Sequence, residues 1–166
     1  MRLLYRGRVW RSLLILLLIS GSGCGRYSFS GSMSPDIKSI AIPVFEDRSA
    51  EFEIREKLTS ALVDKFLSDN NLRVLDSDVS DSILSGTIHR VEDRPVAISQ
   101  NEQAQAFELS IYINITYENR NTNTVIFEKN LRGRGTFSGP EDRELGIEEA
   151  IENLSADVLN MVISHW

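Results

Sequence analysis

The chain has 166 residues, of which 42% are apolar, enough for one hydrophobic core and one domain. Its formal net charge of −6 is unevenly distributed: residues 1–23 contain four arginines and no acid, whereas residues 24–166 carry 14 basic and 24 acidic side chains, a net charge of −10. Nucleic-acid-binding proteins need a clustered basic surface to displace counterions from phosphates, so this balance argues against nucleic acid as a partner.

Residues 1–23 predict a signal peptide for export. A basic stretch precedes the apolar run at 13–19, and small residues at 20–23 follow it. The apolar run is far shorter than the roughly 20 residues needed to span a bilayer, so a removed signal fits better than a permanent transmembrane helix.

Cys24, which follows the signal, is the only cysteine in the chain and therefore cannot close an intramolecular disulfide. The segment resembles a bacterial lipobox, whose cysteine receives a diacylglyceryl group and becomes the first mature residue. Ser22 and Gly23 fit that pattern, whereas Gly21 stands where an aliphatic residue is usual. We expect Cys24 to carry a lipid that anchors the protein to a membrane. The alternative is ordinary cleavage nearby with an incidental thiol. The residue after the cysteine is Gly25 and not the Asp that would resemble an inner-membrane retention signal, so an outer-membrane destination is favoured.

The segment 24–36 is predicted to be the lipidated cysteine and a short tether, because it is rich in Ser and Gly and lacks apolar periodicity. A single α+β domain is predicted over 37–166. It opens with a strand at 37–45, in which Pro43 cannot donate a ladder hydrogen bond and so indicates an edge position or the end of the strand.

A first helix is predicted over 49–70. Its apolar stripe consists of Leu58, Ala61, Leu62 and Phe66. Ser49 is the predicted N-cap, and Glu51 and Glu53 are predicted to complement the positive end of the helix dipole. A second strand at 72–75 follows, and strand–helix–strand connections of this size are usually parallel.

Three further strands are predicted at 83–91, 107–118 and 125–134. Gly86 in the first of them indicates a close backbone approach or a bulge. Apolar and polar residues alternate strictly along 107–118, which means that one face of this strand is buried and the other is polar. The Asn-rich turn at 119–123 indicates a hairpin, so the last strand should pair antiparallel.

The final helix is predicted to open at Pro140 and to continue almost to Trp166. Its apolar stripe is Ile147, Ile151, Leu154, Val158 and Met161. Two amphipathic helices and one sheet with a single apolar face predict a two-layer α+β sandwich, with both helices on one face of a mixed four- to five-stranded sheet.

Residue types for catalysis or metal binding are sparse. Two histidines, His89 and His165, and a single cysteine cannot supply a zinc-type ligand set. Gly133 and Gly135 do not fit a phosphate-loop fingerprint and are interpreted as turn glycines. The acidic cluster of Glu46, Asp47, Glu51 and Glu53 is interpreted as the start of a helix rather than as paired catalytic carboxylates. We predict that the protein is not an enzyme and has no metal or cofactor.

Basic side chains are concentrated in the predicted sheet: Arg90, Arg94, Lys129, Arg132 and Arg134. Within an acidic domain, cations on neighbouring strands are able to hold a phosphorylated or carboxylated ligand. The alternative is a solvated strand face whose charges protect the sheet edge.

Four segments carry a resemblance to a known family: CGRYSFSGSMSPDIKSIAIPVFEDRS, EIREKLTSALVDKFLSDNNLRVL, SILSGTIHRVED and the last helix with its terminal Trp. Together they resemble the LptE family of lipopolysaccharide-assembly lipoproteins. The resemblance implies an outer-membrane lipoprotein that faces the periplasm and plugs the β-barrel of the partner LptD. Such proteins help to place lipopolysaccharide in the outer leaflet and catalyse no covalent reaction.

The resemblance also implies contacts between basic strand residues and lipopolysaccharide. Arg90, Lys129, Arg132 and Arg134 are the candidates for that contact, although no residue-by-residue match assigns them. Two other classes of function stay open. One is a free-standing periplasmic ligand-binding or adaptor lipoprotein without a barrel partner, and the other is a hydrolase, which the absence of a nucleophile, base and metal set disfavours.

Overall fold

The computed structural model describes residues 37–51, 53–98 and 104–164. The predicted signal peptide, Cys24, the tether, His165 and Trp166 lie outside the described residues. Within them, the elements in chain order are β1 (Ser39–Ala41), β2 (Glu46–Asp47), α1 (Ile54–Asp69), β3 (Arg73–Val74), β4 (Ser82–Ile98), β5 (Ala104–Asn119), β6 (Thr124–Phe137), a 3₁₀ turn at Pro140–Asp142 and α2 (Arg143–Ser164).

The strands form one mixed sheet in the order β3-β1-β4-β5-β6, with β2 paired to β4 beyond the end of β1. The pairs β1–β3, β1–β4 and β2–β4 are parallel, whereas β4–β5 and β5–β6 are antiparallel hairpins. The predicted α+β fold and the parallel connection through α1 are confirmed. The sheet is larger than predicted because the segment 37–47 contributes two short strands instead of one.

Both helices pack on one face of the sheet, and the core lies between the two layers. The predicted apolar residues of β5 are buried: Leu109, Ile111, Ile113, Ile115 and Tyr117. In α2 the predicted stripe is buried from Ile147 to Val158, while Met161 is partly buried and Val162 completes the core. Ion pairs join Lys57 to Glu144 and Lys65 to Glu152. Because both pairs step by eight residues along each helix, α1 and α2 run in the same direction.

The first predicted strand is interrupted between β1 and β2, and Phe45 lies in the interruption. β1 ends at Ala41, before Pro43, and Phe45 is buried with its ring directly above Gly86 of β4. A Cβ atom at Gly86 would lie 2.2 Å from the Phe45 ring. The close backbone approach predicted for this glycine is therefore confirmed, and the approach is made by an aromatic side chain.

The predicted start of the first helix at Ser49 is wrong. The helix begins at Ile54, and Ser49 instead donates its hydroxyl to Asp47 Oδ1 at 2.7 Å. Asp47 also accepts from the backbone N–H of Ser49, so this pair closes a local turn after β2. Glu56, rather than the predicted Glu51 and Glu53, is the acidic residue in the first helical turn. The local Asx turn competes successfully for the serine hydroxyl that the helix would have used.

The interpretation of Gly133 and Gly135 as turn residues is also wrong. Both lie inside β6, which continues to Phe137, and both face α2. A Cβ atom at Gly133 would lie 2.4 Å from the carbonyl oxygen of Ala150. These glycines allow the helix backbone to rest on the strand backbone, which places α2 directly over β6.

Candidate functional site

The side of the sheet opposite the helices is polar in its central part, and we call that part the outer face. It is formed by alternate residues of three long strands: Arg90, Glu92 and Arg94 of β4; Glu108, Ser110, Tyr112, Asn114 and Thr116 of β5; Glu128, Asn130, Arg132 and Arg134 of β6. The strict alternation in β5 predicts this face, because neighbouring side chains on a strand point to opposite sides.

A β-bulge at His89 brings the arginines of β4 to the outer face. Ile88 pairs with Ile113 and Arg90 pairs with Tyr112, so one extra residue stands between consecutive partners. Ile88 is buried in the core, and without the bulge Arg90 would fall on the same side as Ile88. The side chain of His89 itself is exposed.

Tyr112 lies at the centre of the outer face between two guanidinium groups. The Cζ atom of Arg90 is 4.4 Å from the centre of the Tyr112 ring, and that of Arg132 is 5.4 Å from it. Both distances are within the range of cation–π attraction. The three residues form one row across β4, β5 and β6, because Tyr112 pairs with Arg90 on one side and with Arg132 on the other.

Arg132 is held in place by two polar neighbours on β5. Its Nε and Nη2 atoms donate to Ser110 Oγ at 3.1 and 2.9 Å, and Nη2 also forms an ion pair with Glu108. Ser110 is completely buried although it lies on the outer face. The Arg132 side chain, 28% exposed, is therefore fixed as part of the sheet surface.

Glu92 holds the two arginines of β4 in the same way. Its Oε1 atom is 3.0 Å from Arg90 Nε, and its Oε2 atom is 3.0 Å from Arg94 Nη2. Arg134 lies on the same face, opposite Ser110, and forms no ion pair within the described part of the chain. Four arginines and two glutamates give this end of the outer face a formal charge of +2, whereas residues 24–166 as a whole are acidic.

The structure brings together three of the four residues predicted to contact a ligand. Arg90, Arg132 and Arg134 share the outer face. Lys129 does not, because it pairs with Ile115, whose side chain is in the core, and therefore lies on the helix side of the sheet at its edge. The roles of Glu92 and Glu108 were missed. Their positions on the strands follow from alternation, but their pairing with particular arginines requires the cross-strand register.

The acidic cluster after β1 has separate partners for each carboxylate. Glu46 contacts Arg48, Asp47 holds the Ser49 turn, Glu53 lies 3.5 Å from Lys57, and Glu51 binds Arg143 of α2 at 2.8 Å. In the described ranges no three His, Cys, Asp or Glu side chains are grouped so that they could hold a metal ion. Among the helices described here, none is long and apolar enough to cross a membrane.

Comparison with solved structures finds similar folds. A protein from Xanthomonas campestris shares 9% identity and a TM-score of 0.59, covering 76% of this chain and 84% of that one. A hypothetical protein from Chlamydia trachomatis shares 8% identity and a TM-score of 0.57, covering 76% and 95% of the two chains. A minor lipoprotein from Acinetobacter baumannii shares 11% identity and a TM-score of 0.50, covering 76% and 92%. At such identities the similarity concerns the fold alone.

No curated protein sequence matches the chain. The family model described as "LptE: Lipopolysaccharide-assembly" does match it, over residues 37–163. That match covers both helices and every strand of the sheet described above. The chain therefore belongs to the LptE family of lipopolysaccharide-assembly proteins.

Proposed function

We propose that this protein is an outer-membrane lipoprotein that partners an LptD-type β-barrel as a plug and helps to assemble lipopolysaccharide at the outer-membrane surface. The observation that carries the proposal is the family match over residues 37–163. We assign it no covalent chemistry. Residues 1–23 serve as its signal peptide, and Cys24 holds a lipid that anchors the domain on the periplasmic side of the membrane.

The outer face supports a position against the interior of a barrel. Barrel interiors of this class are polar, and a plug must present polar groups to them. Asn114 illustrates the fit: its Nδ2 atom donates to Glu128 Oε1 at 3.1 Å and to Asn130 Oδ1 at 3.3 Å, so two side chains of β6 orient the amide. On such a polar surface, hydrogen bonds to water can be replaced by hydrogen bonds to the polar side chains of a barrel wall.

The arginine cluster supports contact with the anionic part of lipopolysaccharide. Guanidinium groups donate two parallel hydrogen bonds to a phosphate or carboxylate, which makes arginine the preferred residue for such groups. Ion pairs with Glu92 and Glu108 orient Arg90 and Arg132, so less side-chain entropy is lost when a ligand binds them. Within the arginine cluster, Arg90, Arg94 and Arg132 each have a carboxylate partner, whereas Arg134 has none among the described residues and so offers its charge to a ligand.

Purification from the native host tests the proposed partnership. The full chain would carry a C-terminal tag, the outer membrane would be solubilised gently, and everything that copurifies would be identified by mass spectrometry. We expect a β-barrel protein in a 1:1 ratio and a diacylglyceryl mass on Cys24. A Cys24→Ser variant is the matched control for the anchor, and it should leave the outer-membrane fraction.

Two results would overturn the proposal. Recovery of the tagged protein without a barrel would favour the free-standing periplasmic ligand-binding or adaptor lipoprotein. Recovery of an unlipidated chain in the soluble periplasmic fraction would remove the anchor as well. The two results are separable, because the first concerns the sheet domain and the second concerns only Cys24.

A further inference from the structure

β6 is the last strand of the sheet and leaves one edge unpaired within the described residues. It is 14 residues long, whereas β3 at the opposite edge has only two residues. A long unpaired edge presents a row of backbone N–H and C=O groups, and such a row is a template for another strand.

From residue 127 onward, the even-numbered residues of β6 direct their backbone groups away from β5. The N–H of Thr136 donates to Glu149 Oε2 at 2.7 Å, and the carbonyl of Arg134 accepts from Asn153 Nδ2 at 2.9 Å, both on α2. Residues of an antiparallel pair alternate between bonding to their partner and pointing outward. Because the register has no shift between residues 127 and 137, Glu128, Asn130 and Arg132 also point outward.

The edge of β6 therefore has two parts: one in which α2 binds outward backbone groups, and one in which these groups have no partner in the described ranges. At the end near Phe137, two side chains of α2 bind two of the outward backbone groups, the N–H of Thr136 and the C=O of Arg134, and stand in the way of an added strand. Farther back, the outward N–H and C=O groups of Glu128, Asn130 and Arg132 have no hydrogen-bond partner in the described ranges. The open part is therefore a defined segment, residues 128–132.

We propose that residues 128–132 pair antiparallel with the same segment of a second copy of this chain, about a two-fold axis at Asn130. In this register Asn130 faces its own copy, and Glu128 of each chain faces Arg132 of the other. Each facing pair exchanges both hydrogen bonds, as outward-pointing residues of an antiparallel ladder require. The proposal goes beyond the function proposed above and does not depend on it.

Charge complementarity identifies the second copy as the occupant. Opposite charges placed directly across two strands attract, and like charges repel. Pairing about Asn130 places the Glu128 carboxylate beside the Arg132 guanidinium twice, once on each side of the axis, and brings no like charges face to face. A symmetric pairing of one patch with itself is the usual geometry of a two-subunit interface. Because only five residues pair on each chain, we expect a weak dimer that depends on concentration.

Site-directed cross-linking of the purified full chain tests the register. Facing residues of such a pair have Cα atoms about 5.5 Å apart, so Asn130→Cys places two thiols within reach of a short bis-maleimide. In the matched control, Arg134→Cys, the two thiols of a dimer in this register are about 27 Å apart along the strands, from about 3.4 Å per residue. The parent chain, whose cysteine is Cys24, gives the background.

We expect cross-linked dimer from Asn130→Cys well above the background and none above it from Arg134→Cys. Equal yields from the two variants would mean random collision, and cross-linking of Arg134→Cys alone would mean another register. Either result overturns the proposal, as does a chain that sediments as a monomer at every concentration tested.

A second variant tests the hydrogen bonds themselves. Asn130→Pro removes an outward N–H that serves no strand of its own sheet, and edge positions tolerate proline for this reason. We expect this variant to retain its circular dichroism spectrum and to lose concentration-dependent dimer in sedimentation. A folded Asn130→Pro variant that still dimerises would overturn the proposal. Proline also fixes the backbone angle φ and removes the side-chain amide that accepts from Asn114, so if the variant fails to fold, the cross-linking yields of Asn130→Cys and Arg134→Cys decide the proposal.

Discussion

Gly135 of β6 and Gly146 of α2 bring a strand backbone and a helix backbone into direct contact. A Cβ atom at Gly135 would lie 1.9 Å from the carbonyl oxygen of Gly146 and 2.9 Å from the backbone nitrogen of Ala150. Backbone atoms in two regular elements cannot move aside as the end of a flexible side chain can. The spacing between α2 and the sheet is therefore set by the missing side chain at Gly135.

Replacement of Gly135 by alanine should destabilise the protein strongly. Overpacking in a core costs about 1–3 kcal/mol, and this site belongs at the upper end or above it because the clash is with backbone. Urea unfolding measures the change in the free energy of unfolding. Gly139→Ala is the matched control, because the three atoms nearest its added Cβ all belong to the flexible carboxylate of Glu141. If both variants unfold at the same urea concentration, the proposed packing of α2 on β6 is incorrect.

Periodicity explains why much of this fold could be predicted from the sequence. The alternation along 107–118 assigns Ile111 to the core and Tyr112 to the opposite face, because neighbouring side chains on a strand point to opposite sides of the sheet. The helical stripe of α2 is equally direct, since residues three and four apart share a face. Both patterns depend on local geometry, and the structure confirms both.

Features that depend on register could not be predicted in the same way. Arg90 reaches the outer face only because His89 is an extra residue in β4, and nothing in the local pattern places the bulge there rather than at Gly86. Lys129 and Arg132 both look like exposed cations in the sequence, yet they are three positions apart on one strand, so they lie on opposite sides of the sheet. Ser49 was misassigned because an Asx turn and a helix cap use the same hydroxyl.

Asp81 should make stability depend on pH. Hydrogen bonds from the Lys38 backbone N–H at 3.0 Å and the Ser39 hydroxyl at 2.8 Å lower the pKa of Asp81 below its ordinary value. A carboxyl whose pKa is lower in the folded state stabilises it fully above the unfolded pKa of about 3.9, and this contribution is lost as the pH falls through the folded pKa.

An Asp81→Asn variant tests this dependence. It should lose roughly 1 kcal/mol at pH 7, since a neutral amide accepts these hydrogen bonds less strongly than a carboxylate. The difference from the parent chain should shrink as the pH is lowered below 4. Asp78→Asn, at an exposed position in the same loop, is the control and should change little. A difference that stays constant from pH 7 to pH 3 would contradict the role given to the Asp81 charge.

Arg143 should matter more for stability than the exposed ion pairs between the helices. Its Nη2 atom lies 2.8 Å from Glu51 Oε1 and its Nε atom 2.7 Å from Asp93 Oδ2, so one side chain ties α2 to β4 and to the segment before α1. We expect Arg143→Gln to cost roughly 1–2 kcal/mol, because it removes two hydrogen bonds to charged groups. Lys57→Gln, at a more exposed pair, should cost less than about 1 kcal/mol. Urea unfolding at low and high salt measures both losses. A larger loss for Lys57→Gln at low salt, which disappears at high salt, would mean that surface Coulomb attraction dominates and would contradict this ranking.

The contact between Arg90 and Tyr112 should be measurable as a coupling energy. A double-mutant cycle of Arg90→Met and Tyr112→Leu isolates the pair from the loss of packing at each site. We expect a coupling of about 0.5–1 kcal/mol, typical of an exposed cation–π pair. The same cycle with Arg94→Met is the control, since Arg94 contacts Glu92 and pairs with Glu108 rather than Tyr112. Equal coupling for both arginines would indicate a general charge effect instead of the ring contact.

The two faces of the sheet should differ in their contribution to the binding of lipopolysaccharide. Arg134 lies on the outer face beside Arg132, whereas Lys129 lies on the helix side, although both are exposed cations of β6. If the arginine cluster holds the phosphates, Arg134→Gln should weaken the binding of purified lipopolysaccharide by roughly tenfold, the loss of one charge-assisted contact worth about 1.4 kcal/mol. Lys129→Gln removes the same charge from the same strand, so long-range attraction falls equally in both variants, and only a direct contact separates them. Isothermal titration at two salt concentrations compares the two. Equal weakening that disappears at high salt would show that net charge alone governs binding, and it would remove the outer face from the proposed contact.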